Sequence, residues 1–181
     1  MPPWLSELRA ALQQNRRQRH VQVATSHPED GPTVRTVVLR QVDDDGVLAF
    51  ITDTRSEKVR HLREDDRIEV HAWWSKGRVQ FRLRGRAELS VDDGDRLRQR
   101  LWSRLQEEDL ERFHGPTPGQ PVEEAAPAPL APSRLDAVAP NFAVVRVVPR
   151  SVDILRLDPA AHVRRRFTRI DGTWREDEVQ A

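Results

Sequence analysis

Residues 78–89 read Arg-Val-Gln-Phe-Arg-Leu-Arg-Gly-Arg-Ala-Glu-Leu. Strict alternation puts Val79, Phe81, Leu83, Gly85 and Ala87 on one face and Arg78, Gln80, Arg82, Arg84 and Arg86 on the other, the period-2 pattern of a half-buried β-strand. Upstream, Arg67 to Trp74 has the same character, and Ser75-Lys76-Gly77 between them supplies a short glycine-containing hairpin loop. Further back, His20–Ser26, Thr33–Val42 and Val47–Thr52 are strand-like, the last two joined by the turn Asp43-Asp44-Asp45-Gly46. Downstream, Phe142–Val148, Val152–Leu157 and Val163–Ile170 return to strand patterning, with Asp171-Gly172 as a turn before Trp174.

Helical periods interrupt this series. Trp4, Leu5, Leu8, Ala11 and Leu12 share one face of a first helix, expected as a lid on the core. Ser56–Glu64 reads as a short helix with Ser56 at its N-cap. Asp92–Leu105 carries a stripe of Leu97, Leu101, Trp102 and Leu105, and Glu107–Phe113 adds a further turn. Short strands at regular spacing without a βαβ rhythm predict an all-β barrel with helical additions, a single domain over residues 1–181. Residues 115–140 hold seven of the 13 prolines and many alanines, which predicts an extended or mobile excursion rather than a packed element.

Among 181 residues, 30 Lys+Arg balance 29 Asp+Glu, for a net charge of +1. Acidic residues occur in every segment, so a broad nucleic-acid surface is not expected. With no cysteine, disulfides, thiolate zinc sites and a catalytic thiolate are excluded. Met1-Pro2-Pro3-Trp4 lacks the charged-then-apolar pattern of a signal peptide, and no apolar run reaches the ~20 residues that span a bilayer, so a cytoplasmic protein without membrane contact is expected. All basic residues except Lys58 and Lys76 are arginine, and tyrosine is absent, a bias consistent with a GC-rich genome. The six histidines lack HExxH-type spacing and fall on separate segments, so no metal site is expected. GxSxG, Walker and GxGxxG patterns are absent, and Asp43-Asp44-Asp45 and Asp92-Asp93 read as solvated turns.

Three segments are candidates for chemistry. In Ile51-Thr52-Asp53-Thr54-Arg55-Ser56-Glu57-Lys58 a strand ends and a helix begins. Unpaired N–H groups at the helix start, with Arg55, the Ser56 hydroxyl and Lys58, make a phosphate receptor; the competing interpretation is a capped surface helix with solvated charges. In Arg35-Thr36-Val37-Val38-Leu39-Arg40, alternation sends Arg35 and Arg40 to opposite faces, so they do not clamp one phosphate unless a bulge changes the parity; both are otherwise free to reach water from the strand ends. Gln80, with Arg82, offers donor and acceptor groups to a ligand, to a second subunit or to plain solvent.

In order, Arg35-Thr36-Val37-Val38-Leu39-Arg40, Thr52-Asp53-Thr54-Arg55-Ser56-Glu57-Lys58, Gln80-Phe81-Arg82-Leu83-Arg84-Gly85, Asn141-Phe142-Ala143-Val144-Val145 and the tail from Val152-Asp153-Ile154 to Trp174 resemble the pyridoxamine 5′-phosphate oxidase-like flavoproteins. Trp102, Phe113 and Pro116-Thr117-Pro118-Gly119 are closer to the subgroup of predicted oxidases described only as FMN-binding. The resemblance implies a mainly β fold, a six-stranded antiparallel split β-barrel with peripheral α-helices, and a homodimer with FMN at each subunit interface.

It further implies that Arg35, Ser56 and Lys58, with Arg55, hold the FMN phosphate, that the strand backbone at Val37 and Val38 lines the isoalloxazine, with Thr36 also at the cofactor, and that Thr52 and Asp53 lie beside the ring. Gln80 and Arg164 match cofactor-side positions. Arg40 replaces a lysine near cofactor and substrate, keeping the charge but not the shape. Two departures stand out: Ile154-Leu155-Arg156 lies where the vitamin B6 oxidase has a flavin-contacting tryptophan, and Ala160-Ala161-His162 keeps the histidine of an Arg-x-His substrate pair but not its arginine. Losing a guanidinium from a buried anion site costs about 2–5 kcal/mol, which argues against pyridoxamine 5′-phosphate as substrate. The implied activity is an oxidoreductase moving hydride between a small molecule and FMN; the alternatives are an F420-dependent reductase of the same fold and a flavin-carrying module without turnover.

Overall fold

A computed structural model describes residues 1–15, 18–122 and 137–181. Its elements are α1 (Leu5–Gln14), β1 (His20–His27), β2 (Gly31–Val42), β3 (Leu48–Asp53), α2 (Glu57–Glu64), β4 (Arg67–Trp74), β5 (Val79–Ser90), α3 (Arg96–Trp102), α4 (Glu107–Glu111), β6 (Phe142–Leu157), β7 (His162–Ile170) and β8 (Thr173–Val179). Adjacent strands run antiparallel in the order β3-β2-β1-β4-β5-β6-β7-β8, and β3 also pairs with β6. That extra pairing closes a six-stranded barrel from β1 to β6 and leaves β7 and β8 as an extension outside it. Of the excursion expected at 115–140, residues 123–136 lie outside the described residues.

The alternation in β5 does what it predicts: Val79, Phe81 and Leu83 are buried in the barrel, while Gln80, Arg82, Arg84 and Arg86 on the other face stay partly or fully exposed. They pack with Val21, Val23, Leu39, Phe50, Val70, Val145 and Ile154 in one cluster. Trp4, Leu5, Leu8 and Leu12 of the α1 segment belong to it as well, so the first helix is the expected lid. Closing a small barrel leaves no room for water, and this cluster is what replaces it.

Two regions depart from expectation. Phe142–Val148 and Val152–Leu157 are a single strand of 16 residues. β6 pairs with β3 through Phe142–Val147, with β7 through Ser151–Leu157, and with β5 almost throughout. The proline and polar residues at 149–151 therefore mark a change of neighbour. Pro149 lies opposite Gly85 at a register shift, where a Cβ on residue 85 would collide with the Val148 carbonyl. The tail also continues as β8, paired with β7 from Arg164↔Val179 to Ile170↔Thr173, and Trp174 packs edge-on against Trp4 at 5.5 Å. The helix expected at Asp92–Leu105 is shorter, because Asp95 caps it by accepting from the Leu97 and Arg98 N–H groups.

A second apolar cluster lies outside the barrel: Leu101, Trp102, Leu105, Leu110, Phe113, Phe142 and Val144. Phe142 meets Trp102 and Phe113 edge-on with centroids 5.0 and 4.9 Å apart. Buried Arg98 ties this layer to β6 by donating to the Phe142 and Ala139 carbonyls at 2.9 Å each. The cluster fixes α4 and Phe113 beside β2 and β3, where the site forms.

Candidate functional site

β2 pairs with β1 along Gly31–Val38, but with β3 only through Leu39, Gln41 and Val42. Beyond Leu39 the strands part, and the β3-side edge of residues 35–38 carries no ladder pairing. A cavity of about 450 Å³ opens in this gap, within the usual range for a small-molecule site. β2 supplies Arg35, Thr36, Val37, Val38 and Arg40; Ile51 comes from β3, Lys58 from the first turn of α2, and Asp109, Arg112 and Phe113 from α4 and the residues after it. A register shift between Leu39 and Gln41 places Arg40 at a bulge, and Arg35 and Arg40 border the same cavity.

The electrostatics of the cavity are one-sided. Burial first, and the nearby Arg35 guanidinium second, hold the Lys58 ammonium below its ordinary value of 10.5, with Asp53 and Glu57 opposing. Two cations kept together in partial isolation from water form a donor set that calls for an anion. Lys58 donates to the Thr52 hydroxyl at 3.1 Å, and that hydroxyl lies 3.2 Å from the Ser56 hydroxyl. Arg35 donates to the hydroxyls of Thr25 at 2.6 Å and Thr33 at 2.5 Å and to Glu57 at 3.1 Å.

The structure thus gathers Arg35, Thr36, Val37, Val38, Arg40 and Lys58 around one cavity. Thr52 and Ser56 stand directly behind Lys58, both buried. Ser56 occupies the N-cap position of α2, yet its hydroxyl donates back to the Asp53 carbonyl at 2.7 Å rather than accepting from the helix. Asp53 binds Arg55 through contacts at 3.0 and 2.6 Å, and Arg55 also donates to the Gly115 carbonyl at 2.9 Å, one bond from each of its three nitrogens. Gln80 lies on β5 opposite Leu155, Arg164 on β7 is held by Asp153 at 3.0 Å, and His162 is exposed at the start of β7. None of these three lines the cavity of their own chain.

A larger cavity of about 570 Å³ opens beside β1, β4 and β5. It holds no residue predicted from sequence, and its Arg67, Arg84 and Arg86 are paired with Asp65, Glu69 and Asp66. The smaller cavity is where the predicted groups converge.

Two features escaped the sequence reading. Arg98 is buried, where arginine is normally exposed. His27 and His61, which the sequence places on separate segments, stack at 5.1 Å between β1 and α2, beside Asp30, Arg60 and Glu64. Asp30, Glu57 and His61 bring ligand atoms within 4.8 Å of one another, but Arg60 already pairs with Asp30 and Arg35 with Glu57. The β1–β2 register, which sets Thr25 opposite Thr33, is what assembles this network.

With fold and cavity in view, the class is that of a flavin-binding split barrel. The family profile described as pyridoxamine 5′-phosphate oxidase, FMN-binding domain, matches residues 1–91. The chain belongs to this family, and its cofactor is FMN. It is 33% identical over 146 residues to a pyridoxine/pyridoxamine 5′-phosphate oxidase of Deinococcus deserti, covering 80% of this chain and 65% of the relative. The match to the corresponding Nostoc enzyme, 34% identical, spans 40% of this chain and 34% of that one. The chain thus spans less than two thirds of the curated relatives it matches. Among solved structures, a pyridoxamine 5′-phosphate oxidase-related, FMN-binding protein of Nostoc punctiforme superposes with a TM-score of 0.88 at 31% identity, covering 100% of this chain and 99% of the other. PhzG of Burkholderia lata, solved with tetrahydrophenazine-1-carboxylic acid, shares the fold at a TM-score of 0.79 and 18% identity, with coverage of 98% and 90%. No helix among the described residues is long and apolar enough to cross a membrane.

Proposed function

We propose that the cavity between β2, β3 and α2 holds FMN and that the protein is an oxidoreductase acting on a small molecule. The observation that carries this reading is the Arg35–Lys58 pair, two cations at the mouth of a helix beside an open strand edge. Their charge, with the first N–H groups of α2, suits a phosphate dianion. Val37, Val38, Ile51 and Phe113 give a flat ring apolar surface, and the unpaired edge of β2 offers backbone N–H and C=O groups to its polar rim. When bound, FMN supplies the hydride-accepting and hydride-donating centre.

The chain's own residues bind, orient and exclude water. Lys58 and Arg35 anchor the phosphate end, with Thr52 and Ser56 holding Lys58 in place. Arg55, braced by Asp53 and the Gly115 carbonyl, shapes the turn before α2 and keeps a second N–H on each terminal nitrogen for the phosphate. Arg40, exposed at the bulge, borders the cavity, where it would meet an anionic substrate group. In a homodimer, Gln80, His162 and Arg164 of a second copy would complete the site that one chain leaves open. The resemblance puts Ala160 where an arginine would recognise pyridoxamine 5′-phosphate, which supports a substrate other than that compound.

Absorbance and mass analysis of cofactor released from purified protein tests the reading: FMN is expected, and a protein that neither carries nor takes up flavin overturns it. Arg35→Ala combined with Lys58→Ala should abolish FMN retention in a folded protein. Sedimentation should give a dimer, and mixing Gln80→Ala with Lys58→Ala chains should restore part of the FMN binding only if the two groups come from different copies.

A further inference from the structure

We propose that His61, which does not line the cavity, is a positioning residue for the cofactor phosphate, acting on Arg35 through the hydroxyls of Thr25 and Thr33. The proposal rests on the reading that Arg35 holds the FMN phosphate. His61 projects from α2 and is fully buried. Its Nδ1 lies 3.1 Å from the Thr25 hydroxyl and 3.3 Å from that of Thr33, and the two hydroxyls are 3.4 Å apart. Both hydroxyls accept from Arg35, one from each terminal nitrogen.

Counting donors gives this arrangement its direction. Arg35 only donates, so each threonine oxygen that accepts from it has a hydroxyl proton left to place. Asp30 is ionised, its carboxyl held below the ordinary value chiefly by Arg60, and it faces His61 Nε2 at 3.1 Å. A carboxylate only accepts, so in the neutral ring Nε2 carries the proton and Nδ1 is left as the acceptor for the threonine side. Donation then runs from Arg35 to the Thr25 and Thr33 oxygens, from one threonine hydroxyl to the single lone pair of His61 Nδ1 while the other hydroxyl donates to it across 3.4 Å, and from His61 Nε2 to Asp30.

The surrounding charges hold His61 in register. His27 of β1 stacks on it, with His27 Nε2 2.9 Å from Glu64 and Arg60 closing on Asp30. Glu57 meets Arg35 from the first turn of the same helix. One guanidinium is thus fixed by two hydroxyls, a carbonyl and a carboxylate before any ligand arrives. Preorganisation of this kind lowers the ordering cost of binding an anion.

Riboflavin, which lacks the phosphate, provides the control. Affinities for FMN and riboflavin are measured by flavin fluorescence for wild type, Arg35→Ala, His61→Leu, His61→Asn and the double variant Arg35→Ala/His61→Leu. His61→Leu should lower the FMN-to-riboflavin preference about tenfold with riboflavin affinity unchanged, the scale of one hydrogen bond to a charged group. His61→Asn, whose amide oxygen takes the place of Nδ1, should recover most of that loss. In the Arg35→Ala background, His61→Leu should change nothing further. A preference equal to wild type in His61→Leu while Arg35→Ala lowers it, equal losses of FMN and riboflavin, or additive effects in the double variant would each overturn the positioning role. If Arg35→Ala itself leaves the preference unchanged, the phosphate assignment fails first, and the role of His61 with it.

Discussion

Replacing Lys58 by methionine should make the flavin-free protein at least as stable as wild type while weakening its hold on FMN. In the absence of an anion, the ammonium is disfavoured by burial and by Arg35, and its hydrogen bond to Thr52 does not remove either cost. A methionine keeps the length of the side chain and its apolar contacts without the charge. A phosphate monoester carries about −1.5 to −2 charges at neutral pH. One charge pair about 4 Å apart at an effective dielectric of about 20 is worth about 4 kcal/mol, and screening at this partly exposed group leaves about 2 kcal/mol. That loss raises the Kd for FMN about thirtyfold. Riboflavin affinity should not change.

The pH dependence of stability gives a second readout on the same variant. Because the folded-state pKa of Lys58 lies below the ordinary 10.5, the folded protein binds fewer protons than the unfolded chain between those two values. Stability of flavin-free wild type therefore gains a contribution as pH rises through that window, and below it the full cost of the charged form remains. Lys58→Met removes this contribution, so its advantage is greatest at neutral pH and shrinks toward pH 10.5. Thermal unfolding with and without FMN, across pH, measures both effects. A variant that binds FMN within threefold of wild type, or whose flavin-free form melts below wild type at neutral pH, would refute the reasoning.

Three further outcomes follow from the packing. Gly85→Ala drives a Cβ into the Val148 carbonyl at the β5–β6 register shift, so the variant should fail to accumulate as folded protein, seen by soluble yield and circular dichroism. Arg98→Met leaves the Phe142 and Ala139 carbonyls without their buried donor; a loss of about 2–5 kcal/mol and a fall in Tm of roughly 5–15 °C are expected by calorimetry. Asp65, held by Arg67 through side-chain and backbone hydrogen bonds, has its pKa lowered from 3.8 to about 2. Its stabilising contribution is complete above 3.8 and is lost as pH falls through about 2, and NMR titration of Arg67→Ala should return Asp65 toward 3.8.

The strands were legible wherever one face is buried and the other wet, as in Val79–Leu83, because alternation there is imposed by the core itself. β6 misled because Pro149 and polar neighbours look like a chain break, whereas the strand only exchanges β3 for β7 at that point. β8 was missed because Trp174-Arg175-Glu176-Asp177 is mostly polar, a composition that suits an outer strand covered on little of its surface. The Lys58 end of the cavity could be read from a strand passing into a helix, a local signal. The bulge at Arg40, and the stacking of His27 on His61, depend on how strands distant in sequence register against one another, and no local pattern encodes that.

The parting of β2 from β3 has a consequence for the life of the protein before it meets its cofactor. A strand with an uncovered edge is a template for a strand of another molecule, and polymerisation through such edges is a hazard of every open sheet. Here the uncovered edge, Gly31–Val38, carries Arg35, with Arg40 just past its end and Lys58 close by, so two copies approaching edge to edge would bring like charges together. Charged gatekeepers of this kind keep nascent chains apart. The cations that recruit an anion would thus also guard the vacant edge until it arrives, and variants that discharge them should show shortened shelf life of the flavin-free protein as well as weaker cofactor capture.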